Sequence, residues 1–219
     1  MSPVDQNELS VPSLVDVLHA AIRDRILKGD IEPGASVTEM SIATQYSVAR
    51  PTAKAAMERL VVDGLLRRST NKTARVPLLD TEDVRDLYFS RELIERSVVE
   101  RLAMKRLVPD EAEKNVTALR DAADEPTVTA AVSVDLGFHR SLVTALNSPR
   151  LIRLYDGLMG EAHLCMAQAY GILQTERVAD EYSRILEAIE AGDVQAAGDE
   201  MSGHLDRACL RLVSHMRAN

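Results

Sequence analysis

Two sets of side chains in this sequence have types and spacings that could do chemistry. The first is Arg50 and Lys54, four residues apart and so on one face of any helix that carries them. An arginine so placed can grip guanine through O6 and N7, and a lysine can reach the same atoms or a phosphate. The second set is Arg91, Glu95, Asp135, His139, Tyr182 and His204, each lying on the apolar stripe of an amphipathic run. The stripes read Val84, Tyr88, Arg91, Glu95, Val98, Leu102; then Val128, Val132, Asp135, His139, Leu142, Leu146; then Val178, Tyr182, Ile185, Ile189; and last Val194, Ala197, Met201, His204, Ala208, Leu212. Inward-turned charges are costly alone, so these groups must meet one another, a metal or a ligand. For any one of them an internal hydrogen bond or salt bridge is a sufficient account. Their coincidence on four helices points to a shared polar pocket.

The first set needs a helix to present it, and the flanks supply one. An amphipathic segment over 13–28 is capped by Ser13, shows Leu14, Leu18, Ala21, Ile22 and Ile26 on one stripe, and ends at Gly29. After the turn Pro33-Gly34, a short helix is expected over 38–45, with Ile42 in the core. Proline disfavours helical geometry in the residue before it and sits comfortably in a first turn, so the next helix is predicted to start at Pro51 with Arg50 at its cap. A short helix, a tight turn and a helix with a basic start are the layout of a helix-turn-helix, whose second helix enters the major groove. Arg50, Thr52 and Lys54 would then face the bases. Beyond Gly64, Arg67-Arg68-Ser69-Thr70-Asn71-Lys72-Thr73-Ala74-Arg75-Val76 reads as a basic hairpin, with Lys72 and Arg75 placed for phosphates. An ordinary helical hairpin with exposed cations would share these features.

The second set needs a bundle. Helices are expected over 81–106, 110–123, 127–146, 150–171, 176–191 and 193–216, with breaks at Val108-Pro109, Glu125-Pro126, Asn147-Ser148-Pro149, Gln174-Thr175 and Gly192. Short connections between six helices make an antiparallel bundle. The predicted fold is therefore mainly α: a winged helix-turn-helix over 1–76, a linker over 77–80 and an all-helical domain over 81–219. With 46% hydrophobic residues but only 3% aromatic, the core must be aliphatic. The net charge of −8 excludes indiscriminate coating of nucleic acid, and it is unevenly divided. Residues 1–76 hold ten Lys and Arg against nine Asp and Glu, whereas the rest carries a net −9. Such a head on an acidic body suits a specific DNA reader. Cys165 and Cys209 are the only cysteines, and there is neither a signal peptide nor an apolar run near the ~20 residues of a membrane span. A cytoplasmic protein that does not enter membranes is expected.

Helix, Pro-Gly turn, helix-turn-helix and wing, in this order over residues 14–76, resemble the N-terminal domain of the GntR family of bacterial transcription regulators. Where that family runs Gly-Val-Ser-Arg-Thr-Pro-Val-Arg-Glu-Ala-Leu, this chain has Ser47-Val48-Ala49-Arg50-Pro51-Thr52-Ala53-Lys54-Ala55-Ala56-Met57. The body resembles the FCD ligand-binding domain of the family's FadR-like branch. Asp86-Leu87-Tyr88 with Arg91 and Glu95, Asp135-Leu136-Gly137-Phe138-His139, Ile185-Leu186-Glu187-Ala188-Ile189 with Gly192-Asp193, and His204 carry that resemblance. Many members of the branch hold a divalent metal, often zinc or nickel, with one Asp and three His. Asp135, His139 and His204 match three of those ligands, and Tyr182 stands where the fourth is expected.

The resemblance implies a homodimer that binds a double-stranded operator, commonly as a repressor, and senses a small carboxylic acid. Arg91 would pair with the acid through its planar fork, although an Arg91–Glu95 helix pair is an equal use of it. Tyr182, and His163 beside Cys165 and Met166, are further effector-lining candidates, His163 being as well suited to the core. The rival reading is a metal-dependent enzyme in the bundle, with Asp135, His139 and His204 as ligands and Tyr182 as acid/base.

Overall fold

The computed structural model describes residues 12–68, 73–121, 128–168 and 175–218. Its first helix, α1 (Leu14–Leu27), starts on a capping box: Ser13 Oγ accepts from the Asp16 amide, and the Asp16 carboxylate accepts from the Ser13 amide. Leu18, Ile22 and Ile26 of the expected stripe are buried, but Leu14 is exposed, since the first turn overhangs the core. The chain turns at Gly34 into β1 (Ser36–Val37), which pairs antiparallel with β2 (Ala74–Arg75). Arg67 and Arg75 exchange backbone hydrogen bonds of 2.8 and 3.0 Å, closing the base of the hairpin. Residues 69–72, including Lys72, lie outside the described residues. The strand β1 was not anticipated, because two residues are too few to show alternation.

Thr38 caps α2 (Glu39–Gln45), and Ile42 is buried as expected. Ser47 then takes a left-handed conformation with φ 53°. Side chains other than glycine adopt that conformation at a cost, and glycine is what the family's run has here. The next helix, α3 (Arg50–Val62), begins one residue earlier than predicted. Ala49 is its N-cap, extended at φ −66°, ψ 144° and without a side-chain capping bond, and Arg50 opens the helix. The first amides of a helix have no intrahelical acceptor, so Pro51 removes no hydrogen bond from its early position. Ala53, Ala56, Met57 and Leu60 bury the inner face of α3 against α1 and α2.

Asp80 caps α4 (Thr81–Lys105), accepting from the amides of Glu82 and Asp83. Then come α5 (Asp110–Asp121), α6 (Val128–Ala145), α7 (Pro149–Gln168), α8 (Thr175–Ala191) and α9 (Val194–Ala218). The helix α4 is central: it packs along α9 and also touches α6, α7 and α8. All six residues of its stripe from Val84 to Leu102 are buried, the charged pair included. Among the described residues no helix is long and apolar enough to cross a membrane.

Head and bundle meet along α7. A Cβ on Gly160 would fall 1.8 Å from the carbonyl oxygen of Asp63, so only glycine allows the end of α3 to lie this close. Around that contact His19 holds Asp63 at 2.6 Å, and Arg67 reaches Asp83 at 2.9 Å and Glu161 at 3.5 Å. An Arg23 nitrogen lies 3.1 Å from His163 Nδ1, and Gln168 Nε2 donates to the Pro77 carbonyl at 2.9 Å.

Candidate functional site

On the head, the exposed face of α3 presents Arg50 and Lys54 together. Each has only a loose acidic neighbour, Glu39 at 4.0 Å for Arg50 and Glu58 at 3.7 Å for Lys54. Exposed pairs at such distances contribute little, so both cations are available to an incoming polyanion. Thr52 is half-buried between them, and Arg75 is exposed, donating to the Gly34 carbonyl at 2.9 Å. The two adjacent arginines before the hairpin divide their work. Arg67 turns back to the bundle, whereas Arg68 lies 3.7 Å from Glu39, the acid that also faces Arg50. Arg68 thus shares an acidic neighbour with Arg50, a placement the sequence does not reveal, because adjacent residues of one type give no sign of which way each turns.

In the bundle, the structure brings Arg91, Glu95, Asp135, His139, Tyr182 and His204 into one buried cluster. Glu95 is its hub. It accepts from Arg91 Nε at 2.8 Å, from His139 Nδ1 at 2.5 Å and from the Tyr155 hydroxyl at 2.7 Å. Burial pushes its carboxyl up, but Arg91 and His139 outweigh that and hold it well below the usual carboxylate range. Burial likewise opposes the charge on Arg91, and Glu95 with Tyr88 and Tyr155 more than restores it. The guanidinium also lies over the Tyr88 ring at 4.8 Å. Arg91 Nη2, however, is buried without a hydrogen-bond partner.

Tyr182 closes the other side. Its hydroxyl donates to Asp135 Oδ1 at 2.5 Å, and its oxygen lies 2.9 Å from His139 Nε2. One phenolic proton cannot serve both neighbours. Asp135 takes it, and both nitrogens of His139 have oxygen partners, Glu95 Oε2 beside Nδ1 and the phenol oxygen beside Nε2. The ring of Tyr182 stacks on Phe138 at 3.7 Å, and burial followed by Asp135 keeps its hydroxyl well above an ordinary phenol's pKa. His204 is oriented by Glu181, which accepts from its Nδ1 at 2.7 Å and from Arg207 Nε at 2.7 Å. Burial lowers the pKa of His204, while against the pull of burial the hydrogen bonds from His204 and Arg207 bring Glu181 down to about 2.

His163 stands apart from this cluster. It is buried on the face of α7 that meets α1, beside a cavity of about 330 Å³ lined also by Arg23, Asp63, Arg140 and Asp156. Tyr155 and Glu181 are site residues that the stripes did not single out. Tyr155 could have been found, since it lies one turn before Met159 and two before His163 with a polar tip on a buried face.

Some FCD-type domains bind a metal. Among the described residues, no group of three or more His, Cys, Asp and Glu is placed to hold one. The Tyr182 hydroxyl lies between Asp135 and His139 and engages both of the donor atoms they would offer.

The family model described as "Bacterial regulatory proteins, gntR family" matches residues 14–76, and the one described as "FCD domain" matches residues 86–207. The chain is 26% identical over 201 residues to the uncharacterized HTH-type transcriptional regulator YdhC of Bacillus subtilis, covering 87% of each. It is 27% identical over 192 residues to the "Probable D-xylose utilization operon transcriptional repressor" of Paenarthrobacter nicotinovorans, 87% of this chain and 84% of that one. Among solved structures, McbR/YncC of E. coli has the same fold, with a TM-score of 0.76 at 18% identity over 95% of this chain and 100% of that one.

Proposed function

Since the chain belongs to the GntR family of bacterial transcriptional regulators and carries an FCD domain, we propose that it is a homodimeric repressor whose hold on its operator is set by a small carboxylate. DNA binding and regulation through a ligand-binding domain are what these families do. The acid, the dimer, the sign of regulation and the cytoplasmic setting are the proposed parts, as are a DNA-binding unit over 1–76, a linker over 77–80 and an effector unit over 81–219. Both families are regulatory rather than enzymatic, and no observation favours catalysis in the bundle.

The observation that carries the effector is Arg91 Nη2, a buried donor without a partner on a side chain whose Nε is already held by Glu95. An unmet buried donor costs free energy, and a carboxylate supplies the missing acceptor. The cluster is closed, with Arg91 1% and His139 0% exposed, so the acid enters only as the helices part. The helix α7 links that movement to the head: Tyr155 hangs on Glu95, and one to two turns later Gly160, Glu161 and His163 form the seam with α1 and α3. A ligand that prefers the parted bundle shifts operator affinity by its differential binding energy, typically ~1–3 kcal/mol. One head spans only a few base pairs, and two heads about 34 Å apart would read a palindrome. Phe89 and Leu93, one turn apart on α4 and both 60% exposed, offer an apolar face to a second copy.

A panel of small mono- and dicarboxylic acids, screened by thermal shift and then by operator binding, tests this reading. At least one acid should raise the Tm and weaken the operator complex, and Arg91→Lys should lose the response by losing the fork. If no acid moved either quantity, the effector class would be wrong. A monomer in light scattering, with and without operator, would remove the dimer.

A further inference from the structure

We propose that the Tyr182 phenol stands in the place of the divalent ion held by many FCD domains, so that this site is assembled without metal. The inference deepens the reading of the cluster as an effector site. It rests on where the phenol oxygen lies. That oxygen bridges Asp135 Oδ1 at 2.5 Å and His139 Nε2 at 2.9 Å, and so ties two residues of α6 to α8. An ion between those atoms would require both at about 2.0–2.2 Å. The space it would need is filled by an oxygen that makes hydrogen bonds to both.

Both ring nitrogens of His139 are already engaged, Nδ1 lying 2.5 Å from Glu95 Oε2 and Nε2 lying 2.9 Å from the phenol oxygen. Size completes the argument. Measured from Cβ, a phenol oxygen reaches roughly 2 Å further than Nε2 of a histidine, which is one metal–nitrogen bond length. Replacing a histidine by tyrosine at this position therefore puts the hydroxyl where that histidine's ion would sit. Stacking on Phe138 at 3.7 Å holds the ring in that line. Of the matches to the ligand set, Asp135 and His139 hold the hydroxyl, and the His204 ring lies beside them, its centroid 5.2 Å from that of His139 and 4.9 Å from that of Tyr182.

The test uses the full-length protein and the metals alone. Wild type, Tyr182→His and Tyr182→Phe are equilibrated with zinc or nickel, freed of unbound ion by gel filtration and measured by elemental analysis and calorimetry. Wild type should retain no stoichiometric metal, and zinc should leave its Tm and its tyrosine ultraviolet spectrum unchanged. Tyr182→His should take up one ion per chain, bind it at least about tenfold more tightly than wild type, and lose the gain in Tm to a chelator. Tyr182→Phe keeps the ring on Phe138 and removes only the hydroxyl, so it should also bind metal more tightly than wild type. This second variant decides the matter if the histidine variant does not fold. Stoichiometric metal in wild type, a tyrosinate band on adding zinc, or no gain in either folded variant would overturn the proposal. Metal content is read without operator or acid, so its failure and that of the effector reading are separately visible.

Discussion

Arg50 of α3 and Arg91 of the bundle are the same residue type under opposite physics. Arg50 and Lys54 stand in solvent with acidic neighbours at 4.0 and 3.7 Å, where a pair contributes little to folding. Arg91 is 1% exposed, with its Nε 2.8 Å from Glu95 inside a network of two carboxylates, two tyrosines and a histidine. Desolvating such charges is expensive, and only mutual pairing makes the arrangement tolerable. The exposed set leaves its energy for a partner that brings its own charge. The buried set is committed internally except at Arg91 Nη2; Arg207 Nη2, on the side chain that pairs with Glu181, is the other buried side-chain nitrogen without a partner among the described residues. Substitutions should therefore sort cleanly, with those in the head altering binding and those in the cluster altering the fold.

The largest effect should come from Glu95→Ala. It strands Arg91, His139 and Tyr155 at once, and a denaturant titration should show a loss of about 3–5 kcal/mol. A loss below about 1 kcal/mol would mean that water reaches the cluster and that the contrast is overstated. Next, Arg50→Ala should leave unfolding within about 0.5 kcal/mol of wild type while removing ~1–3 kcal/mol of operator discrimination per half-site. Competition titrations against random duplex would measure it, and unaltered specificity would displace α3 from the groove. Third is the seam between the regions. His163 is held at about pKa 4, first by burial and then by Arg23, against an ordinary 6.5. The unfolded chain therefore takes up the proton first. Stability is intact above about pH 6.5 and is lost as pH falls towards 4, by about 1–2 kcal/mol between pH 7 and 5. Arg23, Arg140, Asp63 and Asp156 line the same cavity, and a second charge beside Arg23 should loosen the head. The urea midpoint of His163→Gln should lack this share of the pH dependence. The smallest effect belongs to Arg75→Ala, which should weaken operator and random DNA alike and lower the salt slope by about one.

Periodicity made the buried stripes legible, and with them the cluster. Val84 to Leu102 recur at helical spacing, and charge on such a stripe is conspicuous whatever its partner. The cap at Ser13 was readable because it is local. What escaped depends on contacts between distant segments. His163 is as polar as His139 and also buried, but it faces Arg23, 140 residues away, rather than the cluster. Glu181 was visible only as the acid before Tyr182, and its grip on His204 comes from the packing of α8 on α9. The start of α3 was misplaced by one residue because proline suits more than one early helical position.

The bridging hydroxyl of Tyr182 also bears on how many inputs the regulator has. A bound ion is a second ligand, and the fraction of molecules carrying it follows the free concentration of that ion. A phenol fixed to the backbone never dissociates, so its effective concentration does not vary with growth conditions. A sensor built as proposed would answer to its acid alone. Its dose–response curve should keep the same midpoint in metal-starved and metal-replete cells, where that of an ion-dependent relative would move.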